Sequence, residues 1–134
     1  CFLDWLFETY DGSLEPLNEL PLSTLREQLL AIKGIGPETA DDMLLYAFER
    51  PVFVIDAYTR RIFSRLGLVA EGLGYETLRE IFETALEPDV PVFNEYHALI
   101  VSHGKDFCRP KPRCAVCCLK PDCQQGILAG TDGR

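Results

Sequence analysis

The chain has 134 residues, with 13 Lys and Arg against 21 Asp and Glu, six Cys and one Trp. That length suffices for one domain with a sizeable core, and 47% apolar with 25% charged residues excludes a disordered chain. A net charge of −8, taken alone, argues against a nucleic-acid partner.

In chain order the pattern is helical throughout. Phe2, Leu3, Leu6, Phe7 and Tyr10 recur at helical spacing and end at Asp11-Gly12. Leu25, Leu29 and Ile32 predict a second helix, with Thr24 and Glu27 placed as a capping box. Pro37 suits the first position of a third, which carries Met43, Leu44, Ala47 and Phe48. Val52 to Ile55 is the single strand candidate, too short and isolated to build a sheet. Asp56 stands at an N-cap position ahead of Ile62, Phe63 and Leu66, and Gly67 closes that helix. Leu78, Ile81, Phe82 and Ala85 make a fifth helix, stopped by Pro88; Phe93, Tyr96, Ile100 and Phe107 make a sixth. Residues 124–134 are Gly-rich and polar and read as a loose tail. The fold class is all-α. The longest apolar runs, such as Met43 to Phe48, are far too short to span a bilayer, so no membrane partner is expected. No secretion leader is visible.

The charge is not spread evenly. Residues 1–49 carry −8, residues 50–70 carry +3, residues 71–104 carry −6 and residues 105–134 carry +3. The positive blocks contain the Asp56 helix and the cysteine-rich segment, as a local contact face on an acidic protein would. The acidic total therefore limits affinity for a polyanion rather than excluding one, and any such binding is expected to be steeply salt-sensitive.

Three constellations carry chemistry. Cys108, Cys114, Cys117 and Cys123 form a C-x5-C-x2-C-x5-C run. One tight loop with a single C-x2-C suits four thiolates around an iron–sulfur cluster better than the paired knuckles of a zinc site. Zinc and inert cysteines are the alternatives. Cys118 competes with its neighbour, but Cys117 keeps the spacing; Cys1 and Cys118 read as ordinary buried or free thiols. Second, Gly34-Ile35-Gly36 joins two helices, so that glycine backbone and the N-terminal amides of the next helix could meet a phosphate, with Ile35 anchoring the turn. An ordinary helical corner is the plain alternative. Third, an apolar lead-in delivers the Asp56 carboxylate to a helix start, followed by Arg60 and Arg61. By itself Asp56 could be no more than an N-cap worth about 1 kcal/mol. His97 and His103, on one helical face, read as packing residues rather than catalysts, and Trp5 as core.

Together, in this order and spacing, these features resemble the endonuclease III branch of the helix-hairpin-helix DNA glycosylase superfamily, over residues 1 to 123. The resemblance implies that Gly34, Ile35, Gly36 and Thr39 hold DNA, that Asp56 is the catalytic carboxylate, and that the four cysteines bind a 4Fe–4S cluster; His103-Gly104-Lys105 looks like the family's approach to it. Endonuclease III-related proteins, some similar to 3-methyladenine glycosylases, are the nearest subgroup. Arg60, Lys111 and Arg113 are the side chains proposed to meet phosphate, with an exposed helix face as the equal alternative for Arg60 and Arg61.

Two departures qualify the resemblance. Bifunctional members carry a lysine after the hairpin that forms a Schiff base; the matching position is Glu38, and Lys33 precedes the hairpin. A carboxylate forms no imine. The expected reaction is therefore hydrolytic release of a damaged base, an alkylated one being a candidate, from double-stranded DNA, without strand cleavage. A bifunctional glycosylase and a non-catalytic DNA-binding module are the alternatives. The first cysteine spacing is also one residue shorter than in endonuclease III. The chain begins at Cys1 rather than Met, near the hairpin module, so an upstream part of the barrel is expected, leaving apolar faces that a dimer could cover. A prokaryotic cytoplasm is the expected location.

Overall fold

The computed structural model describes residues 1–130. It contains eight α-helices: α1 (Phe2–Tyr10), α2 (Glu15–Asn18), α3 (Leu22–Ala31), α4 (Pro37–Asp42), α5 (Ala57–Leu66), α6 (Tyr75–Ala85), α7 (Val90–Asp106) and α8 (Gln124–Ala129). A π-helical turn, Met43–Ala47, continues α4, and two 3₁₀ turns, Cys114–Val116 and Lys120–Asp122, shape the cysteine segment. No strand occurs among the described residues, so the all-α expectation holds. Among the described residues, no helix is long and apolar enough to cross a membrane.

The helix ends follow local chemistry. Helix α1 stops where Asp11 and Gly12 both take positive φ, 56° and 78°. The α3 start corrects the sequence reading. Pro21 precedes the helix with extended backbone, and Leu25 N–H donates to its carbonyl at 3.0 Å. Proline thus starts the helix before Thr24 can cap it, and no side chain caps α3. Asp56 does cap α5, and Gly67 closes it at φ 83°.

Val52, Phe53, Val54 and Ile55 are each at most 1% exposed, yet they pair with no strand. Two of their donors find side chains on α6 instead: Phe53 N–H donates to Glu83 Oε1 at 3.0 Å and Ile55 N–H to the Tyr75 hydroxyl at 3.3 Å, while Val52 N–H donates to Arg50 O at 2.9 Å. This segment also joins two cores. Val52 belongs to a cluster with Leu6, Leu17, Leu25, Leu29, Ala40 and Leu44 around the hairpin helices, against which Trp5 packs. Phe53, Val54 and Ile55 belong to a second cluster with Ile62, Leu78, Phe82, Phe93 and Ile100. Phe53 stacks on Phe82 with centroids 4.3 Å apart and meets Phe93 and Tyr96 edge-on. The apolar lead-in therefore fixes where Asp56 emerges.

The expected loose tail is partly ordered. Residues 124–129 form α8, whose Gln124 lies so close to Gly67 that a Cβ there would meet its Oε1 at 2.7 Å. Gly126 is buried against Lys120. Residues 131–134 of that expected tail lie outside the described residues.

Candidate active site and cysteine centre

Asp56 is 8% exposed at the start of α5. Its Oδ1 accepts the backbone N–H of Thr59 at 2.8 Å and the Thr59 hydroxyl at 2.9 Å. Its Oδ2 lies 2.9 Å from His97 Nε2 on α7. Burial pushes the Asp56 carboxyl up, but the bonds from His97 and Thr59 and the charge of His97 outweigh that and hold it below its ordinary value. Asp56 is therefore an ionised, oriented carboxylate, which is more than a helix cap requires.

The reading of His97 as a mere packing residue is corrected here. Its hydrogen bond to Asp56 raises its pKa against the effect of burial, helped by the charges of Asp56, Asp42 and Glu38. The other ring nitrogen, Nδ1, lies 2.6 Å from the Tyr46 hydroxyl. Tyr46 sits on the π-helical turn, and no sequence pattern marks that turn. Only the recurrence of His97 and Tyr46 beside acidic residues in three dimensions brings them into view.

Two more carboxylates surround this group. Glu38, at the surface of the first turn of α4, has its pKa raised by partial burial and by the charges of Asp56 and Asp42; His97 and Arg60 oppose the shift. Asp42 is raised by burial and by Asp56 and Asp41, against the influence of His97. The result is a concentration of negative potential around Asp56, with one imidazole against it.

The hairpin lies just before Glu38. Gly34 takes φ 95°, a left-handed value that favours glycine, and both Gly34 and Gly36 are exposed, with open space where a Cβ would stand. Ile35 is partly buried against the hairpin core, as an anchor should be. Its amide, however, donates to Ile32 O at 3.0 Å and is used inside the turn. Thr39 is exposed beside Glu38.

The basic candidates divide. Arg60 is half-buried and donates from Nη1 to Leu73 O at 2.6 Å, holding the loop before α6. Arg61 donates to Cys108 O at 2.7 Å and Gly104 O at 3.2 Å. Neither lies on a free helix face. Lys111 and Arg113 are exposed on the cysteine segment.

Cys108, Cys114, Cys117 and Cys123 line one small cavity of about 20 Å³ with Ile62, Leu66 and Phe107 among its apolar walls. All four are free thiols and partly buried. Cys118 is exposed and lies outside that cavity, so the structure places Cys117 in the four-thiol set. Cys1 is also exposed. Among the described residues, no group of three or more His, Cys, Asp or Glu could hold a single metal ion. Arg65 clamps the segment, donating to Arg109 O at 2.6 Å and Pro110 O at 3.0 Å and approaching Cys108 Sγ at 3.5 Å. Gly104 lets α7 approach α5, since a Cβ there would overlap the Tyr58 ring. The cysteine cavity and the Asp56 carboxylate are thus tied to opposite ends of one helix, α5.

A glycine hairpin, a helix-capping, ionised aspartate and a four-thiol loop on one helical scaffold define a helix-hairpin-helix protein with an endonuclease III-like fold. The comparisons agree. A protein of Methanocaldococcus jannaschii, named provisionally as a DNA repair glycosylase, is 48% identical over 121 residues, covering 89% of this chain and 54% of that protein. Endonuclease III of Sulfolobus acidocaldarius is 36% identical over 107 residues, covering 79% and 47%. A solved non-covalent endonuclease III–DNA complex superposes with a TM-score of 0.77 at 22% identity, over 96% of this chain and 56% of that one. Protein-family models give no match. The chain belongs to the endonuclease III-like helix-hairpin-helix superfamily, and it spans about half the length of the curated relatives it matches.

Proposed function

We propose that the chain carries the catalytic carboxylate and DNA-docking part of a DNA N-glycosylase that releases a damaged base by hydrolysis. The observation that carries this reading is Asp56, ionised and fixed by three hydrogen bonds at the start of α5. Breaking an N-glycosidic bond builds positive charge on the sugar. A preoriented carboxylate stabilises that charge without reorganising, and can accept a proton from the incoming water. Glu38 and Asp42 add to the negative potential. Such a site favours a leaving group that is itself electron-poor, and an alkylated, cationic base fits that description best. The base must leave the stack to reach Asp56. The exposed glycines of the hairpin offer backbone approach to a phosphate, with Thr39, Lys111 and Arg113 as neighbouring polar contacts.

Glu38 stands where bifunctional relatives carry their lysine, so the reaction ends at the abasic site. Cys108, Cys114, Cys117 and Cys123 are proposed to hold a 4Fe–4S cluster. Four thiols around one mostly apolar cavity support that reading. When bound, the cluster would pin the segment by four covalent bonds and so fix Lys111 and Arg113 relative to α5.

The test is base release from duplexes carrying alkylated, oxidised or deaminated bases, using full-length protein. Asp56→Asn is expected to abolish release from the preferred duplex while binding persists. Borohydride is expected to trap no covalent adduct. Unchanged release in Asp56→Asn would overturn the glycosylase assignment of Asp56, and a trapped adduct would overturn the hydrolytic one.

A further inference from the structure

We propose that His97, locked by Tyr46, is a positioning residue that holds the Oδ2 of Asp56 aimed within the acidic site. This rests on the reading of Asp56 as the catalytic carboxylate, and the geometry supplies the argument. A carboxylate only accepts, so the 2.9 Å contact requires a proton on His97 Nε2. In the neutral ring, Nδ1 is then an acceptor, and the Tyr46 hydroxyl at 2.6 Å donates to it. Tyr46 therefore selects the tautomer that serves Asp56. In the imidazolium, Nδ1 donates to the same hydroxyl oxygen, so the bond to Asp56 survives either charge state of the ring.

The backbone has been shaped for this arrangement. Tyr46 lies on a π-helical turn, with Phe48 N–H reaching back to Met43 O at 3.1 Å, directly after the hairpin helix. The wider turn brings the Tyr46 ring to 5.8 Å from the His97 ring, centroid to centroid. Such turns are uncommon and occur often at functional sites. Tyr46 nevertheless stays half-exposed, 50%, so the turn does not serve to bury it.

The need for His97 follows from what else faces Asp56. The charge of Asp56 raises the pKa of Glu38 and of Asp42 on α4, and burial pushes Asp56 itself up. The groups facing His97 are Asp56, Asp42 and Glu38, with Tyr46 on its far nitrogen, and Arg60 acts on Glu38. Without the imidazole, Asp56 would keep only the Thr59 bonds against its own desolvation. Its proton would then leave at higher pH, and the site would lose its ionised carboxylate on the acid side.

The test reads the titration of Asp56 directly, without requiring catalysis. Carboxyl carbon NMR of the iron-loaded protein, with Asp56→Asn used to assign the signal, gives the midpoint in wild type, His97→Ala and His97→Gln. Circular dichroism checks that each variant is folded. The midpoint is expected to rise by about one pH unit or more in His97→Ala. It should rise less in His97→Gln, which retains a donor but no charge. Ring nitrogen shifts in wild type should show a proton on Nε2 above the imidazole pKa, and Tyr46→Phe should weaken that preference. A pH profile of base release then carries the same displacement of its acid limb. An Asp56 midpoint unchanged in His97→Ala, or a neutral ring protonated on Nδ1, overturns the proposal. Normal titration shifts without any base release would leave this inference standing and defeat the proposed function instead.

Discussion

Glu83 of α6 accepts the Phe53 N–H at 3.0 Å, and Arg79 holds the same carboxylate from one turn away at 3.0 and 3.2 Å. An extended, fully buried segment without a sheet must still place its backbone donors. Here a charged side chain on a neighbouring helix takes the role of a partner strand. Glu83→Ala should therefore leave a buried N–H without an acceptor, costing about 1–3 kcal/mol. Glu83→Gln keeps an acceptor oxygen and should cost less. Urea unfolding of the two variants beside wild type measures the difference, and equal losses would show that the Phe53 bond is not the cause.

Gly104 sets the distance between α5 and α7. It is buried, and an added Cβ would overlap the Tyr58 ring, whose face also lies 5.2 Å from the Arg61 guanidinium. Gly104→Ala should force the two helices apart at a cost of about 1–3 kcal/mol. Because Arg61 donates to Gly104 O, the strain should also reach the cysteine segment. Thermal unfolding measures the first effect, and the rate of iron loss to a chelator measures the second.

How much of this was legible in the sequence depended on whether the signal was local. The Asp56 cap and the Gly67 stop each follow from the residues within one turn, and both were readable. Thr24 and Glu27 had the right types and spacing for a capping box, but Pro21 acts earlier in the chain and starts α3 first. The Val52–Ile55 run signalled burial correctly and said nothing about pairing, because its partners are side chains 20 and 30 residues away. His97 was misread for a similar reason. It lies 41 residues from Asp56 and 51 from Tyr46, and the π-helical turn that unites them has no compositional mark. The choice between Cys117 and Cys118, left to spacing alone, needed the direction of each side chain.

The two adjacent cysteines make a controlled comparison. Cys117 lines the four-thiol cavity and lies 3.6 Å from His103 Nε2, whereas Cys118 is exposed outside it. Cys118→Ala should leave iron and sulfide content unchanged. Cys117→Ala should lower both, with a lower melting temperature as the segment loses one anchor. Iron and sulfide assays on purified protein decide the matter: loss in neither variant would mean that either thiol can serve, and loss in Cys118→Ala would mean that Cys118 is itself needed.

Glu38 offers the clearest case of function opposing stability. Burial and the charges of Asp56 and Asp42 raise its pKa above the ordinary value of 4.5. A carboxyl whose folded pKa lies above its unfolded one is protonated in both states at low pH and contributes nothing there. As pH rises from about 4.5 through the raised value, ionisation becomes harder in the fold than in the unfolded chain, and stability falls. Glu38→Gln should therefore stabilise the protein at neutral pH, and the gain should fade as pH drops toward 4. The same substitution removes negative potential from the site, so base release should slow while the fold becomes firmer. Melting temperatures of wild type and Glu38→Gln across pH 4 to 8 test the sign directly. A gain that persisted undiminished at pH 4 would mean that Glu38 strains the hairpin by its shape rather than its charge.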